Sequence, residues 1–180
     1  MDATAGNAPK SAVRVAVLTL SDTRTAADDA AGKLLRDLLG EAGFRVVHHA
    51  ILREDGTSLR EAVTSLVAGG DVDAVVTTGG TGIAPRDRTI ETLVPMFERT
   101  LDGFGETFRR LSWDEIGPRA ILSRATAGVL GEVFVVALPG STNAVRLGVA
   151  TLVVPILGHA VDLLHGRTHH DGPHRKDVAR

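Results

Sequence analysis

Residues 77–82 read Thr-Thr-Gly-Gly-Thr-Gly, a polar, glycine-rich stretch directly after an apolar run. Glycines at Gly79, Gly80 and Gly82 let backbone N–H groups point into a concavity, and the Thr81 hydroxyl adds a donor. Such a nest suits a phosphate or another anion. The same residues also suit a tight strand-to-helix turn, where glycine supplies positive φ. Next comes Arg86-Asp87-Arg88-Thr89. A carboxylate between two arginines near a phosphate nest can hold Mg2+ or orient a nucleophile. Asp87 can equally cap a helix start, and both roles can coexist. Asp55, in Arg53-Glu54-Asp55-Gly56, is by itself a loop acid before glycine. Ser123-Arg124 is a second phosphate candidate, or else a surface turn paired with a nearby acid.

Several chemistries are excluded. No Gly-Lys-Ser/Thr follows the glycine turn, so it is not a Walker A loop, and it is not GxGxxG. Between Lys33 and Lys176 there is no lysine for a Schiff base. The chain has no cysteine, which removes disulfides, thiolate metal sites and a cysteine nucleophile. No Ser-His-Asp order or HExxH motif appears. His48 and His49 alternate faces on a strand, so they read as one buried and one exposed rather than as joint ligands. A net charge of −2 and 6 aromatic residues argue against a nucleic-acid binder.

These residues need a scaffold. Residues 13–20, 72–77 and 133–138 are β-branched and apolar and read as buried strands, and 44–52, which carries His48 and His49, reads as a further strand. Between them, 29–43 and 58–68 carry helical apolar stripes, with Asp28 or Asp29 capping the first and Gly43 ending it. Residues 89–96 and 104–113 read as short helices broken by Pro95 and Gly103, and 120–122 as a short strand. A long helix follows over 143–165, kinked or split at Pro155. Alternating strands and helices predict a three-layer α/β/α sandwich with a mostly parallel sheet. Three strands then end in polar clusters: Ser21 and Asp22 after the first, the glycine turn after the third, and Pro139, Gly140 and Ser141 after the fourth. In a parallel sheet these ends share one edge, where open α/β folds bind ligands. One domain is expected over 12–166, with flexible tails at 1–11 and 167–180. The C-terminal tail holds three histidines and reads as solvated rather than metal-binding. The start lacks a signal-peptide pattern, and the apolar run 144–157 is short for a membrane span. A cytoplasmic location is therefore expected.

The stretches LTLSDTR (18–24), DAAG (29–32), TTGGTG with RDRT (77–82, 86–89), GFGETFRRLS (103–112), IGPRAILSRATAG (116–128) and LPGSTNAV (138–145) resemble the MoaB/Mog family of molybdenum cofactor biosynthesis proteins. The likeness covers about residues 12–166. It implies a molybdopterin-binding-domain-like fold, assembled as homotrimers or hexamers. It also implies adenylylation of molybdopterin, whose terminal phosphate attacks Mg-ATP and releases pyrophosphate, with a molybdotransferase acting downstream. By the resemblance, the catalytic and Mg2+-binding acids fall on Asp87 and Asp55, with Glu54 the alternative if the loop shifts by one. The phosphate-binding turn falls on Gly79, Gly80, Thr81 and Gly82. Ser21, Asp22, Ser123, Pro139, Gly140 and Ser141 match the other substrate-binding clusters. Two positions depart from the family pattern: Ala31 where serine is common, and Ile90 where proline is common. Alternatives are a non-catalytic molybdopterin carrier and a nucleotide pyrophosphatase.

Overall fold

The structure is a computed structural model that describes residues 13–167. The tails expected at 1–11 and 167–180 lie outside the described residues, save Arg167, which turns back onto Asp162. The first half alternates β1 (Arg14–Leu20), α1 (Ala30–Glu41), β2 (Arg45–Leu52), α2 (Gly56–Gly69) and β3 (Ala74–Thr78). Then come α3 (Thr89–Leu93), β4 (Arg99–Thr100), α4 (Asp102–Ile116), β5 (Thr126–Leu130), β6 (Val133–Leu138), α5 (Thr142–Gly148) and α6 (Val154–Leu164). One sheet of six strands runs in the order β2-β1-β3-β6-β5-β4. β2, β1, β3 and β6 are parallel, while β5 and β4 run antiparallel to their inner neighbours.

Alternation on β1 sorts the core into two halves. Val15 and Val17 point to one face, where Leu35 and Leu39 of α1, Phe108 of α4 and Val149 to Val161 of the last helix cover them. Ala16, Leu18 and Leu20 point to the other, under Leu59 and Val63 of α2 and Leu93 of α3. These are the three layers that the alternating pattern predicts.

Local signals explain the helix ends. Asp29, not Asp28, caps α1, accepting from the Gly32 N–H at 2.9 Å. At its other end the Phe44 N–H donates to Leu39 and the Gly43 N–H to Gly40, and Gly43 takes φ 84°. That double bond closes the orphan carbonyls, with glycine supplying the left-handed turn.

Four expectations need correction. Residues 117–122 are a 3-10 helix rather than a strand at 120–122, because Pro118 sits in its first turn and Gly117 enters at φ 61°. The second strand of that region, β5, lies further on, and its Thr-Ala-Gly start hides the alternation. α4 begins at Asp102 and passes through Gly103 unbroken. The last helix spans Thr142–Leu164, 23 residues, long and apolar enough by length and composition to cross a membrane. Its inner side nonetheless lies on the sheet through Val145, Val149, Val153, Leu157 and Val161. Pro155 does not split it: a π-helical turn over Val149–Val153 precedes it, with the Val154 N–H donating to the Val149 carbonyl, and Pro155 stands in the first turn of α6, where its missing N–H is tolerated.

Two glycines in this helix have opposite surroundings. A Cβ on Gly148 would lie 2.6 Å from Leu138 Cδ2 and 3.2 Å from Phe108 Cε2, both in the packed core, whereas Gly158 meets nothing within 4 Å. Gly158→Ala should therefore stabilise by about 0.5–1 kcal/mol through helix propensity. Gly148→Ala should destabilise despite the same propensity gain, by overpacking worth about 1–3 kcal/mol. Urea midpoints of the two variants measure this, and stabilisation by both would contradict the close packing of α5 on β6.

Candidate functional site

The ends of β1, β3 and β6 converge through backbone. The Gly79 N–H donates to the Leu138 carbonyl at 2.9 Å, and Thr78 Oγ1 donates to the Pro139 carbonyl at 3.0 Å. Gly79 sits at φ 106°, and a Cβ there would lie 2.4 Å from the Leu20 carbonyl oxygen. Gly140 approaches Gly79 so closely that its own Cβ would stand 3.2 Å from the Gly79 Cα. The following turn is pinned from below: Thr89 Oγ1 donates to the Gly79 carbonyl at 2.9 Å, and the Thr89 N–H to Gly80 at 3.1 Å.

Above this junction lies a cleft of about 350 Å³. It brings together Ser21, Gly79, Gly80, Thr81, Gly82, Asp87, Pro139 and Gly140 from the residues singled out in sequence. Glu54, named in sequence as the alternative to Asp55, is among them too, and Thr23, Arg24 and Arg86 join them. Asp87 is not the cap of α3: the cap position is Arg88, which makes no side-chain cap hydrogen bond. Its Oδ2 instead accepts from the Ala84 N–H at 2.8 Å and closes the 84–87 turn beside Gly82.

The acids after β2 divide their labour. Asp55 caps α2, accepting from the Ser58 N–H at 2.7 Å and Ser58 Oγ at 2.9 Å. Those hydrogen bonds hold its carboxyl below the usual range. Glu54 is the acid that lines the cleft. Its Oε2 is buried without a hydrogen-bond partner, 3.3 Å from Arg86 Nε. Burial pushes its carboxyl up against the opposing pull of Arg86, and Asp22 and Asp87 add to the rise. Asp22 stays on the rim, where its Oδ1 accepts from the Glu54 N–H at 3.1 Å and fixes that loop.

Two other expected residues serve local structure. Ser141 caps α5, its Oγ accepting from the Ala144 N–H at 3.2 Å. Ser123 Oγ accepts from the Ala125 N–H outside the cleft lining. Its neighbour Arg124 grips the glycine turn, donating to the Gly82 carbonyl through Nε at 2.9 Å and pairing with Glu91. That pairing holds the Glu91 carboxyl below its usual value.

Among the described residues, no three His, Asp or Glu side chains form a ready metal cage. Mg2+ needs only one or two carboxylates when substrate phosphates complete its shell. The Glu54 Oε2, which makes no hydrogen bond and has only Arg86 beside it, fits that requirement with Asp87 in the same cleft.

A family model described as "Probable molybdopterin binding domain" matches residues 16–159. The chain belongs to the MoaB/Mog family of molybdenum cofactor biosynthesis proteins. It is 45% identical over 159 residues to molybdenum cofactor biosynthesis protein B of Bacillus cereus, covering 88% of this chain and 94% of that one. Against the same protein of Escherichia coli K12 it is 44% identical over 144 residues, 80% and 85% of the two chains. A crystal structure of a molybdenum cofactor biosynthesis protein B superposes with TM-score 0.83 at 45% identity, covering 86% and 96%. The tungsten cofactor synthesizing protein MoaB from Pyrococcus furiosus superposes with TM-score 0.76 at 36% identity, covering 87% and 98%.

Arg24 and Glu54 carried signals in sequence, the first inside the family stretch 18–24 and the second as the neighbour of Asp55. The departure at Ala31 has a structural setting: its side chain is fully buried in the core under α1, outside the cleft lining.

The raised Glu54 carboxyl predicts a sign. The folded protein holds this proton more tightly than the unfolded chain does. Stability is then lost as pH rises from the unfolded value of 4.5 through the higher folded one. Glu54→Gln should raise the urea midpoint at pH 7 but not at pH 4, while Asp55→Ala should lower it at pH 7. Midpoints at both pH values test the division of roles, and a Glu54→Gln protein less stable at pH 7 would contradict it.

Proposed function

We propose that the protein adenylylates molybdopterin, transferring AMP from Mg-ATP to the pterin's terminal phosphate with release of pyrophosphate. The observation that carries this reading is the juxtaposition of the 79–82 backbone turn with two cleft acids, Asp87 and Glu54, whose buried Oε2 makes no hydrogen bond. The reaction needs positioning and charge neutralisation rather than a covalent nucleophile. Gly79 to Gly82, with Gly140 opposite, offer backbone to the phosphates at a distance side chains would forbid. Glu54 and Asp87 would hold Mg2+, which supplies neutralisation of phosphate charge when bound. Asp22 keeps Glu54 in place by accepting from its N–H, and Arg124 stiffens the turn through the Gly82 carbonyl.

The same reading takes the chain to be a cytoplasmic homotrimer or hexamer that hands its product to a molybdotransferase. Exposed Trp113, Ile116, Ile121 and Leu122, at the end of α4 and in the 3-10 helix after it, offer apolar surface for such assembly.

Incubation with molybdopterin, ATP and Mg2+ should yield adenylated molybdopterin and pyrophosphate. Asp87→Asn should lower kcat by about 10²-fold or more, with pterin affinity nearly unchanged. Pterin binding without product from the wild-type protein would favour the carrier reading. Release of AMP without pterin would favour a pyrophosphatase.

A further inference from the structure

Three arginines stand at or beside the cleft, and each has an acidic neighbour. Arg124 grips the Gly82 carbonyl and Glu91. Arg86 lies against Glu54 with a side chain 72% exposed. Arg24 differs, because its guanidinium makes a single hydrogen bond among the described residues, to the Gly140 carbonyl at 3.3 Å. A guanidinium carries five donors in a planar fork suited to phosphate, so most of its capacity remains for a ligand. That bond also crosses the gap between the β1 and β6 ends, on which the cleft is built.

Arg24 is held in place from the core. The Asp29 side chain is 1% exposed, and its Oδ1 lies 3.7 Å from Arg24 Nη1. The rest of that carboxylate is fully used: Thr19 Oγ1 donates to Oδ2 at 2.7 Å and the Gly32 N–H to Oδ1 at 2.9 Å. A Cβ on residue 32 would collide with Asp29 Oδ2, so glycine there is what lets the carboxylate sit against the start of α1. His49 Nε2 stands 3.6 Å from Oδ2, buried and without a hydrogen-bond partner. Burial pushes this imidazole down, whereas the Arg24 guanidinium is charged at any working pH and stands beside the same buried carboxylate. A buried charge needs a partner, and here the partner is a side chain that reaches the ligand cleft.

We propose that Arg24 is a phosphate-binding side chain of this cleft and that Asp29 is the residue that positions it. The ligand class is a phosphomonoester or pyrophosphate group. In the reaction proposed above, on which the assignment of the ligand rests, that group belongs to the pterin or the nucleotide.

Pyrophosphate is the probe, titrated with and without Mg2+ into the wild-type protein and its variants and followed by 31P NMR. Arg24→Ala should weaken binding by about tenfold or more, as expected for a lost charge-assisted hydrogen bond. Arg24→Lys should recover part of the loss. Asp29→Asn keeps an acceptor for the Gly32 N–H, so the fold should persist while pyrophosphate affinity falls and KM rises more than kcat changes. Unchanged pyrophosphate affinity in Arg24→Ala, or no binding by the wild-type protein, would overturn the proposal. The adenylylation assay on the same samples separates the two claims. Product formation with an unaltered KM in Arg24→Ala removes the role of Arg24 alone. Arg24-dependent pyrophosphate binding without product supports the role and removes the adenylyltransferase reading.

Discussion

The structure depends on a close approach of backbone at Gly79. Three strands end there within a few ångströms of one another, and a single Cβ would collide with the Leu20 carbonyl. The φ of 106° at the same residue puts the chain where L side chains rarely go. Because no side chain intervenes, β3 can pass straight from the sheet into a turn whose backbone lines the cleft. The other devices serve this junction. Thr89 ties the turn to α3, Arg124 ties it to the end of the 3-10 helix, and Thr78 ties β3 to the residue after β6.

Around that backbone, charge is arranged in two tiers. The inner tier is committed to structure: Asp55 to its helix, Asp29 to Thr19 and Gly32, Arg124 to Glu91. The outer tier is incompletely satisfied, with a Glu54 oxygen and most of the Arg24 donors left without hydrogen-bond partners. Unsatisfied polar groups are costly when buried, and a folded protein retains them where a ligand completes them. The inner tier makes the outer one possible by spending its own hydrogen bonds on holding loops still.

Much of this was legible in the sequence. Strands β1, β3 and β6 are continuous apolar runs, and each ends in small polar residues, so the shared ligand edge follows from parallel pairing alone. The antiparallel edge was harder to read. β4 is only Arg99–Thr100, and β5 starts Thr-Ala-Gly, because Gly128 lies beneath the Phe97 ring where a Cβ would stand 2.2 Å from it. Packing, not alternation, selects that residue. The second acid shows the same limit. Glu54 and Asp55 are adjacent and chemically alike, and only the capping geometry of Ser58 decides which one turns inward to the helix and which faces the cleft. Arg24 lies in the stretch 18–24, but nothing in its sequence context distinguishes its role from that of the other sixteen arginines; the buried Asp29 carboxylate behind it does.

The most direct test is a crystal structure of the protein with molybdopterin bound. The terminal phosphate should lie against residues 79–82 and Gly140, within hydrogen-bond reach of Arg24, with the Glu54 carboxylate nearer to it than that of Asp55. A pterin phosphate seated instead in the neighbouring cavity of Gly105, Arg109, Arg124 and Thr126 would contradict the account.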